Sequence, residues 1–212
     1  MLSIPATLAR RLPWLALVLL FTACGHETRR YQAQTLSDQQ ADGDITLSGA
    51  AYMITQAVNT SNLFFGLDSS VTIPPETRAF LDFPLDGAAG GDRVPASATI
   101  LTADVQVYVQ SVSFAATVPT LIDLVPFSIP LSTADFSSSP LTATSTRSLD
   151  FFSSDVGSII QVDVTELMIE AQAQGLRDFQ LRFLLDTQAN AGMVEFADGR
   201  SEKAPLLTIE YE

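Results

Sequence analysis

The sequence contains very few of the residue types on which metal binding and covalent catalysis commonly depend. It has one cysteine, one histidine and one tryptophan among 212 residues. One cysteine cannot form an intramolecular disulfide or a thiolate metal cage, and one histidine cannot build a multi-histidine metal site. We therefore expect no metal centre and no cofactor.

Basic residues are also scarce, and acidic residues outnumber them. The chain has 11 Lys+Arg against 24 Asp+Glu, and two of the arginines lie in the first 23 residues, which contain no acid. Without that segment, nine basic residues remain against 24 acidic ones, which gives a net charge of −15. Because nucleic-acid binding requires clustered Lys and Arg facing the phosphates, the composition excludes that class of protein.

Residues 1–23 have the order of an export signal. Arginines at positions 10 and 11 precede the apolar run 12–21, and two small residues then lead to Cys24. The apolar run is shorter than the ~20 residues that a transmembrane helix needs, so it indicates a signal peptide. The sequence Leu-Phe-Thr-Ala-Cys that ends at Cys24 resembles a bacterial lipobox, in which the cysteine becomes the lipidated first residue of the mature protein.

An ordinary cleaved signal with an incidental cysteine is the alternative to lipidation. Lipidation is favoured because the only cysteine of the chain stands directly after the apolar segment. We therefore predict export and a lipid on Cys24 that attaches the protein to a membrane of the bacterial cell envelope, the outer membrane where one exists. More than one acyl chain on that cysteine would give stable anchoring.

Residues 24–44 are mostly polar and have few apolar residues that could attach them to a core. Low hydrophobicity predicts a flexible tether, in which the single histidine, His26, is a solvated residue. The folded domain is then expected to span residues 45–212.

The clearest strand pattern covers residues 98–110. Apolar residues alternate there with mainly polar ones, at Leu101, Ala103, Val105, Val107 and Val109. A period of two predicts a strand with one buried and one solvated face. The parity of the apolar positions shifts near Ser111, which indicates a bulge or a strand end.

A single helix is predicted near residues 164–174, where apolar residues recur with helical spacing. These residues are Val164, Leu167, Met168 and Ala171. Asp163 or Thr165 can cap the N-terminus of the helix, and Gly175 is placed to end it.

Further alternating segments at 79–85, 178–186 and 207–211 predict more strands. The Ser- and Thr-rich stretch 132–148 predicts a long loop or a mobile edge. Many short strands, frequent turn residues and one short helix are typical of a two-sheet antiparallel β-sandwich. We expect one all-β domain of this kind.

Several segments follow one another in the order of a known family. They are Phe80-Leu81-Asp82-Phe83, Val94-Pro95, the strand from Ala98 to Val109, Asp163-Val164-Thr165-Glu166-Leu167, Phe179-Gln180-Leu181-Arg182-Phe183, and Ser201-Glu202 followed by 205–211. On these motifs, residues 80–212 resemble the DNRLRE family, also called disaggregatase-related, of jelly-roll β-sandwiches. Domains of that family look like carbohydrate-binding modules and occur in secreted and cell-surface proteins. The resemblance implies a jelly-roll scaffold, because the matching residues belong to strands and turns.

The residues that alternate out of the predicted core supply a candidate ligand-binding surface. They mix hydrogen-bonding groups of both signs with one aromatic ring that could stack on a sugar. The candidates are Arg78, Asp104, Gln106, Tyr108, Gln180 and Arg182. Since a net charge of −15 repels anionic polymers, we expect a neutral glycan or the surface of an envelope protein as the partner.

Two classes of function remain open. The first is a non-catalytic binding or structural module of the cell envelope, and the alternative is a small polysaccharide-active enzyme that uses carboxylate chemistry. The first is favoured because the predicted domain has no histidine that could activate one of its serines. Pairs of carboxylates are weak support for the enzyme, since 24 acidic residues place some pair at a suitable spacing by chance.

Two Asp-Gly sequences contain oxygen ligands of the kind that Ca²⁺ prefers. They are Asp42-Gly43-Asp44 and Asp198-Gly199. Neither matches an ordered calcium-binding loop, and turn formation by Asp-Gly is the favoured interpretation.

Overall fold

Antiparallel strands make up most of the chain that a computed structural model describes, which comprises residues 29–56, 61–186, 191–199 and 202–212. These ranges contain twelve strands, one α-helix and two 3₁₀ turns. The strands are β1 (Tyr31–Leu36), β2 (Gly43–Ser48), β3 (Ala51–Gln56), β4 (Asn62–Leu67), β5 (Glu76–Pro84), β6 (Ile100–Ser113), β7 (Thr117–Leu124), β8 (Thr146–Phe152), β9 (Ile159–Asp163), β10 (Asp178–Leu185), β11 (Gly192–Ala197) and β12 (Leu206–Tyr211); the helix is α1 (Thr165–Ala173), and the 3₁₀ turns are Thr133–Ser137 and Ser153–Asp155. The predicted signal peptide 1–23 and the predicted lipidation site Cys24 lie outside the described residues.

The strands form one antiparallel sheet that curls around a main core. Its hydrogen-bonded order is β1-β12-β6-β11-β4-β5-β10-β7-β8, with the β2–β3 hairpin on β5 and with β9 on β6. One layer contains β1, β12, β6 and β9, the other contains β2, β3, β5, β10, β7 and β8, and β11 and β4 join the two. The predicted all-β antiparallel sandwich with one short helix is confirmed, and its two layers are continuous with each other.

The main core lies between the two layers and uses the alternating residues that the sequence indicated. Val105, Val107 and Val109 of β6 are fully buried, as are Phe179 and Leu181 of β10 on the other layer. Each layer turns every second side chain inward because side chains alternate along a strand. Burial of this apolar surface, at roughly 25 cal/mol per Å², is the main stabilising contribution.

A β-bulge in β6 explains the shift in its apolar pattern. Glu195 of β11 pairs with Ser111, whereas the next residue of β11 pairs with Val109, so that Gln110 is an extra residue in β6. Because the extra residue changes the parity, Val112 packs on the same core as Val109. The bulge predicted near Ser111 is confirmed.

Helix α1 packs its three buried apolar side chains against the main core. At its start, Oδ1 of Asp163 accepts a hydrogen bond from the N–H of Thr165 at 3.0 Å. At its end, Gly175 has a φ of 66°, a left-handed conformation that favours glycine. The predicted helix and its predicted end at Gly175 are confirmed, whereas the N-cap residue is Val164, which makes no side-chain cap hydrogen bond, rather than Asp163 or Thr165 as predicted.

The chain joins the sheet earlier than the sequence indicated. β1 pairs along its whole length with Leu206–Tyr211 of β12, and Ala41 and Asp42 are fully buried. The tether predicted for residues 24–44 is therefore wrong from residue 31 onward, and the predicted domain boundary at residue 45 is too late. Composition did not show this because main-chain hydrogen bonds, rather than many apolar side chains, hold β1 in place.

The connection between β7 and β8, residues 125–145, covers the outer face of one layer. It contains the 3₁₀ turn Thr133–Ser137 and contributes apolar side chains to a second, smaller cluster. This cluster contains Ile45, Phe80, Phe127, Leu131 and Phe136. The long loop predicted from the Ser- and Thr-rich stretch is present, and it lies across the sheet before the chain enters β8.

Candidate functional site

The six candidate ligand-binding residues lie on two surfaces that face away from each other. Three are on the outer face of β6, and three are on the outer faces of β5 and β10. The first group is Asp104, Gln106 and Tyr108, and the second is Arg78, Gln180 and Arg182. Because the main core separates the layer of β6 from the layer of β5 and β10, the six residues do not form one binding surface.

Arg182 is buried beneath the connection between β7 and β8. Its side chain is 4% exposed, and its Nη2 lies 2.5 Å from Oδ2 of Asp123 on β7. Its Nη1 donates to the main-chain carbonyl oxygens of Phe136 and Ser138, at 3.1 and 2.7 Å. The guanidinium group therefore holds the covering connection to the sheet, and the solvated face expected at this position is wrong.

Gln180 and Arg78 are also engaged within the fold. Gln180 accepts a hydrogen bond from the N–H of Phe127 at 3.0 Å and donates one to Oδ1 of Asp82 at 2.9 Å. The guanidinium carbon of Arg78 lies 4.0 Å from the ring centre of Phe136, and Arg78 also donates to the carbonyl oxygen of Phe136. Strand alternation correctly turned these side chains away from the main core, but it could not show that a loop covers them.

On the other layer, Gln106 and Tyr108 line a small cavity. Its volume is about 210 Å³, and its other lining residues include Ile159, Lys203 and Leu206. The ammonium group of Lys203 lies 3.8 Å from the ring centre of Tyr108, so one face of this ring is covered. The cavity is smaller than the ~300–1,000 Å³ that is usual for ligand pockets.

A larger cleft lies between the β2–β3 hairpin on one side and β4 with β11 on the other. Its volume is about 520 Å³, within the range usual for ligand pockets. Thr77 of β5 pairs with both Thr46 of β2 and Gly66 of β4, which lie on opposite sides of β5. β4 pairs with β5 only through Gly66 and Leu67, so the first four residues of β4 leave β5 beside the cleft.

Strand alternation determines which side chains line this cleft. Asp44 and Thr46 are two residues apart on β2 and so lie on the same face of that strand. Phe64 precedes the core residue Phe65, so its ring lies on the face of β4 that points away from the main core. Met193 of β11 lies on the same side as Phe64. The cleft thus places polar groups of β2 opposite apolar groups of β4 and β11.

Asp44 brings a buried carboxyl group to the cleft. It is 4% exposed, and its Oδ2 accepts a hydrogen bond from the N–H of Phe64 at 3.4 Å. Burial raises the pKa of Asp44 to about 6, against the opposing effect of hydrogen bonds from Phe64 and Thr55. The hydroxyl groups of Thr46 and Thr77 lie 3.0 Å apart in the same cleft. A carboxyl group with a raised pKa in a cleft is a frequent feature of functional sites.

No basic side chain of the described ranges lines the cleft, whereas two acidic residues, Asp44 and Asp68, do. Ser61 and Asn62 add neutral donors and acceptors, and Phe64 adds an aromatic surface. Such a lining suits a neutral ligand rich in hydroxyl groups and repels an anionic one.

Sequence reasoning missed this cleft because its side chains come from five strands. Only the pairing of β2 with β5 and of β4 with β11 brings them together. The adjacent Phe64 and Phe65 were one available signal, since two neighbouring residues of a strand cannot both face the core.

No protein-family model matches this chain, and no curated protein matches it. Across the described ranges, none of the helices has both the length and the apolar character needed to cross a membrane. The resemblance to DNRLRE domains stays a prediction, and the geometry of the cleft is the basis for a functional proposal.

Proposed function

We propose that this protein is a non-catalytic module that binds a neutral glycan in the cleft between the β2–β3 hairpin and β4. The cleft supports this proposal because it combines a volume of about 520 Å³ with hydroxyl groups, a buried carboxyl group and the ring of Phe64, without a base in its described lining. Hydroxyl and carboxyl groups exchange hydrogen bonds with sugar hydroxyls, and an aromatic ring packs against the apolar face of a sugar.

A lipid on Cys24 would display this module on the bacterial cell envelope. The arginine pair, the apolar run and the position of the only cysteine support such an anchor. Each buried CH₂ of an acyl chain contributes ~0.8 kcal/mol, so two or more chains would hold the protein stably. β1 begins seven residues after Cys24. Seven residues span at most about 25 Å, so the domain would lie close to the membrane.

Replacement of the cysteine tests the anchor. Cys24→Ser should release the protein from membranes or leave its leader uncleaved, because no thiol remains to carry the lipid. Fractionation of cells without detergent, together with labelling by a fatty acid, measures this. The matched control is Thr22→Ser, which keeps the cysteine and should remain attached. Unchanged attachment of the Cys24→Ser protein would contradict the anchor.

A glycan array with the full chain in detergent tests the ligand. We expect binding to neutral glycans, and about tenfold weaker binding by Phe64→Ala, since a stacking contact of about 1.4 kcal/mol corresponds to a factor of ten. Thr46→Val removes a hydroxyl group from the cleft with little change in volume, and it should also weaken binding. Gln106→Ala, on the other layer, should bind like the unsubstituted chain.

Three other outcomes would contradict this proposal. Strong binding to polyuronates without added Ca²⁺ would show that the ligand is anionic. Release of reducing ends from a bound glycan would favour the alternative, a small polysaccharide-active enzyme that uses carboxylate chemistry. Binding to no glycan, with capture of an envelope protein that Phe64→Ala abolishes, would favour a protein partner.

A further inference from the structure

A second cavity of ligand size lies at the end of helix α1, beside the connection from β5 to β6. Its volume is about 370 Å³, within the range usual for ligand pockets. No described residue lines both this cavity and the cleft between the β2–β3 hairpin and β4. The two are therefore separate sites.

Two arginines from distant parts of the chain line this cavity. Arg93 lies in the connection from β5 to β6, and Arg177 lies between α1 and β10. Both residues are exposed, and within the described ranges neither forms an ion pair or a side-chain hydrogen bond. Three arginines elsewhere each form an ion pair with an acidic residue, namely Arg78, Arg147 and Arg182. An anion in the cavity could accept hydrogen bonds from both free guanidinium groups.

Main-chain hydrogen bonds hold the two arginine-bearing segments on either side of Leu85. The N–H of Leu85 donates to the carbonyl oxygen of Arg177 at 3.0 Å, and the N–H of Val94 donates to that of Leu85 at 2.8 Å. The acidic groups nearby are Asp86, which lines the cavity, and Asp178, which follows Arg177. They limit the positive charge of the site, which suits a singly charged anion better than a polyanion.

Apolar side chains form part of the wall. Leu85 and Val94 belong to the main core and are 7% and 5% exposed, and Leu176 packs against the same core. A ligand that fills this cavity should therefore carry an apolar part next to its charged group.

The end of α1 offers little repulsion to an anion. The N–H of Gly175 donates to the carbonyl oxygen of Gln172 at 2.9 Å, and the N–H of Leu176 donates to that of Ala171 at 3.0 Å. The carbonyl groups that give a helix its negative end are thus engaged by the residues that terminate it.

The cavity lies at the end of the sandwich where the chain enters the domain. β1 begins at Tyr31 opposite the end of β12, and Glu212, which follows β12, exchanges two main-chain hydrogen bonds with Thr99. Four residues earlier, the carbonyl oxygen of Pro95 accepts a hydrogen bond at 3.0 Å from Nε2 of Gln172, which lines the cavity. A lipid on Cys24 would therefore bring this end of the domain close to the membrane.

We propose that this cavity binds the phosphate group of an anionic phospholipid through Arg93 and Arg177. Guanidinium groups match phosphate oxygens in a bidentate manner, and basic pockets at a membrane surface bind lipid headgroups. The apolar wall would contact the glycerol and the first methylene groups, while the acyl chains stay in the membrane. The inference rests on the anchor proposed above only in naming the membrane as the source of the phosphate.

A bound phospholipid would also orient the domain. Thr77, near the start of β5, lines the glycan cleft, whereas Leu85, directly after the end of β5, lines the cavity. Eight residues of extended strand separate them by about 26 Å. With the cavity on the membrane, the cleft would face away from it.

Titration of the full chain in dodecyl maltoside with dioleoylphosphatidylglycerol, added as mixed micelles, tests this site. Thermal unfolding at each lipid fraction gives the apparent affinity, because a ligand of the folded state raises Tm. Arg93→Gln and Arg177→Gln should each weaken binding about ten- to a hundredfold, which corresponds to a charged hydrogen bond of ~1.5–3 kcal/mol. Arg147→Gln, which changes an exposed arginine of β8, is the matched control and should bind like the unsubstituted chain.

Two further probes distinguish the sources of the phosphate group. Inorganic phosphate and zwitterionic dioleoylphosphatidylcholine should each raise Tm much less than phosphatidylglycerol. An equal increase with inorganic phosphate would overturn the proposal, because the apolar wall would then contribute nothing. An equal increase with phosphatidylcholine, or an equal loss in Arg147→Gln and Arg177→Gln, would show nonspecific binding and would also overturn it.

Modification by phenylglyoxal, located by mass spectrometry, gives a second measurement on the unsubstituted chain. Phosphatidylglycerol should protect Arg93 and Arg177 and leave Arg147 reactive; unprotected Arg93 and Arg177 would contradict the site. Phe64→Ala should keep this protection, so a failure of glycan binding is distinguishable from a failure of lipid binding. Binding in mixed micelles does not need the lipid on Cys24, so a failure of the anchor is distinguishable as well.

Discussion

The outer faces of the two layers have the same sequence pattern but different surroundings. On β6, Gln106 and Tyr108 alternate with buried valines and remain half-buried at an open surface. On β10, Gln180 and Arg182 alternate with buried phenylalanine and leucine in the same way, and both are buried. The difference comes from residues 125–145, which lie across β5 and β10 and leave β6 open.

The pattern of a strand determines which side chains leave the main core, but a distant segment determines whether those side chains meet water. The covering connection brings main-chain carbonyl groups to Arg182 and a main-chain N–H to Gln180. On an open face, water could replace any of these partners, whereas a buried group that loses its partner incurs the full cost of desolvation. The two faces should therefore respond differently to equivalent substitutions.

Replacement of Arg182 should reveal the largest difference between the faces. Arg182→Met leaves Asp123 buried without its cation, so the free energy of unfolding should fall by about 3–5 kcal/mol. Urea denaturation of the full chain in detergent measures this change. The control is Arg147→Met, whose ion pair with Asp163 is 51% and 56% exposed on its two sides. Arg147→Met should lower the free energy of unfolding by less than about 1 kcal/mol. Similar decreases for Arg182→Met and Arg147→Met would contradict the difference proposed between the two faces.

Removal of an apolar anchor of the covering connection should have the next largest effect. Phe136 is buried, and its ring lies against Arg78 and 5.5 Å from the ring of Tyr52. Phe136→Ala should lower the free energy of unfolding by about 3 kcal/mol and should make residues 125–145 sensitive to proteases. Limited proteolysis with mass spectrometry locates the cuts.

The control for that experiment is Phe152→Ala, because the ring of Phe152 is exposed at the end of β8. This variant should keep the proteolysis pattern of the unsubstituted chain. First cuts outside 125–145 in Phe136→Ala would show that the connection does not depend on this ring.

The smallest effect is expected on the open face of β6. Gln106→Glu places a new charge near water and should change the free energy of unfolding by less than about 0.5 kcal/mol. Gln180→Glu makes the same chemical change where Nε2 of Gln180 lies 2.9 Å from Oδ1 of Asp82, and it should cost several times more. Equal changes in the urea midpoint for the two variants would mean that β6 is not open in solution.

Residue type and spacing were sufficient to predict a structural feature wherever that feature depends only on residues of one segment. The alternation of β6, its bulge at Gln110 and the end of α1 at Gly175 were all indicated in this way. Side-chain direction repeats every two residues in any strand, and a left-handed glycine ends a helix whatever packs around it.

Residue type and spacing were insufficient to predict a structural feature that depends on contacts between distant segments. Residues 31–44 have the composition of a tether, but main-chain pairing with β12 and the burial of Asp42 make them part of the domain. The lining of the cleft depends on the pairing of β2 and β4 with opposite edges of β5. No spacing rule connects such positions.

The sequence by itself determined the all-β class, the inward face of the principal strands and the limits of the helix, because these depend on interactions between near neighbours. Only the tertiary structure decided that Arg182 is buried, that Asp44 lines a cleft and that Asp42 meets Asp198. These outcomes depend on long-range strand pairing and on where the connection 125–145 folds back. Contacts of that kind join residues far apart in the chain, so no local pattern contains them.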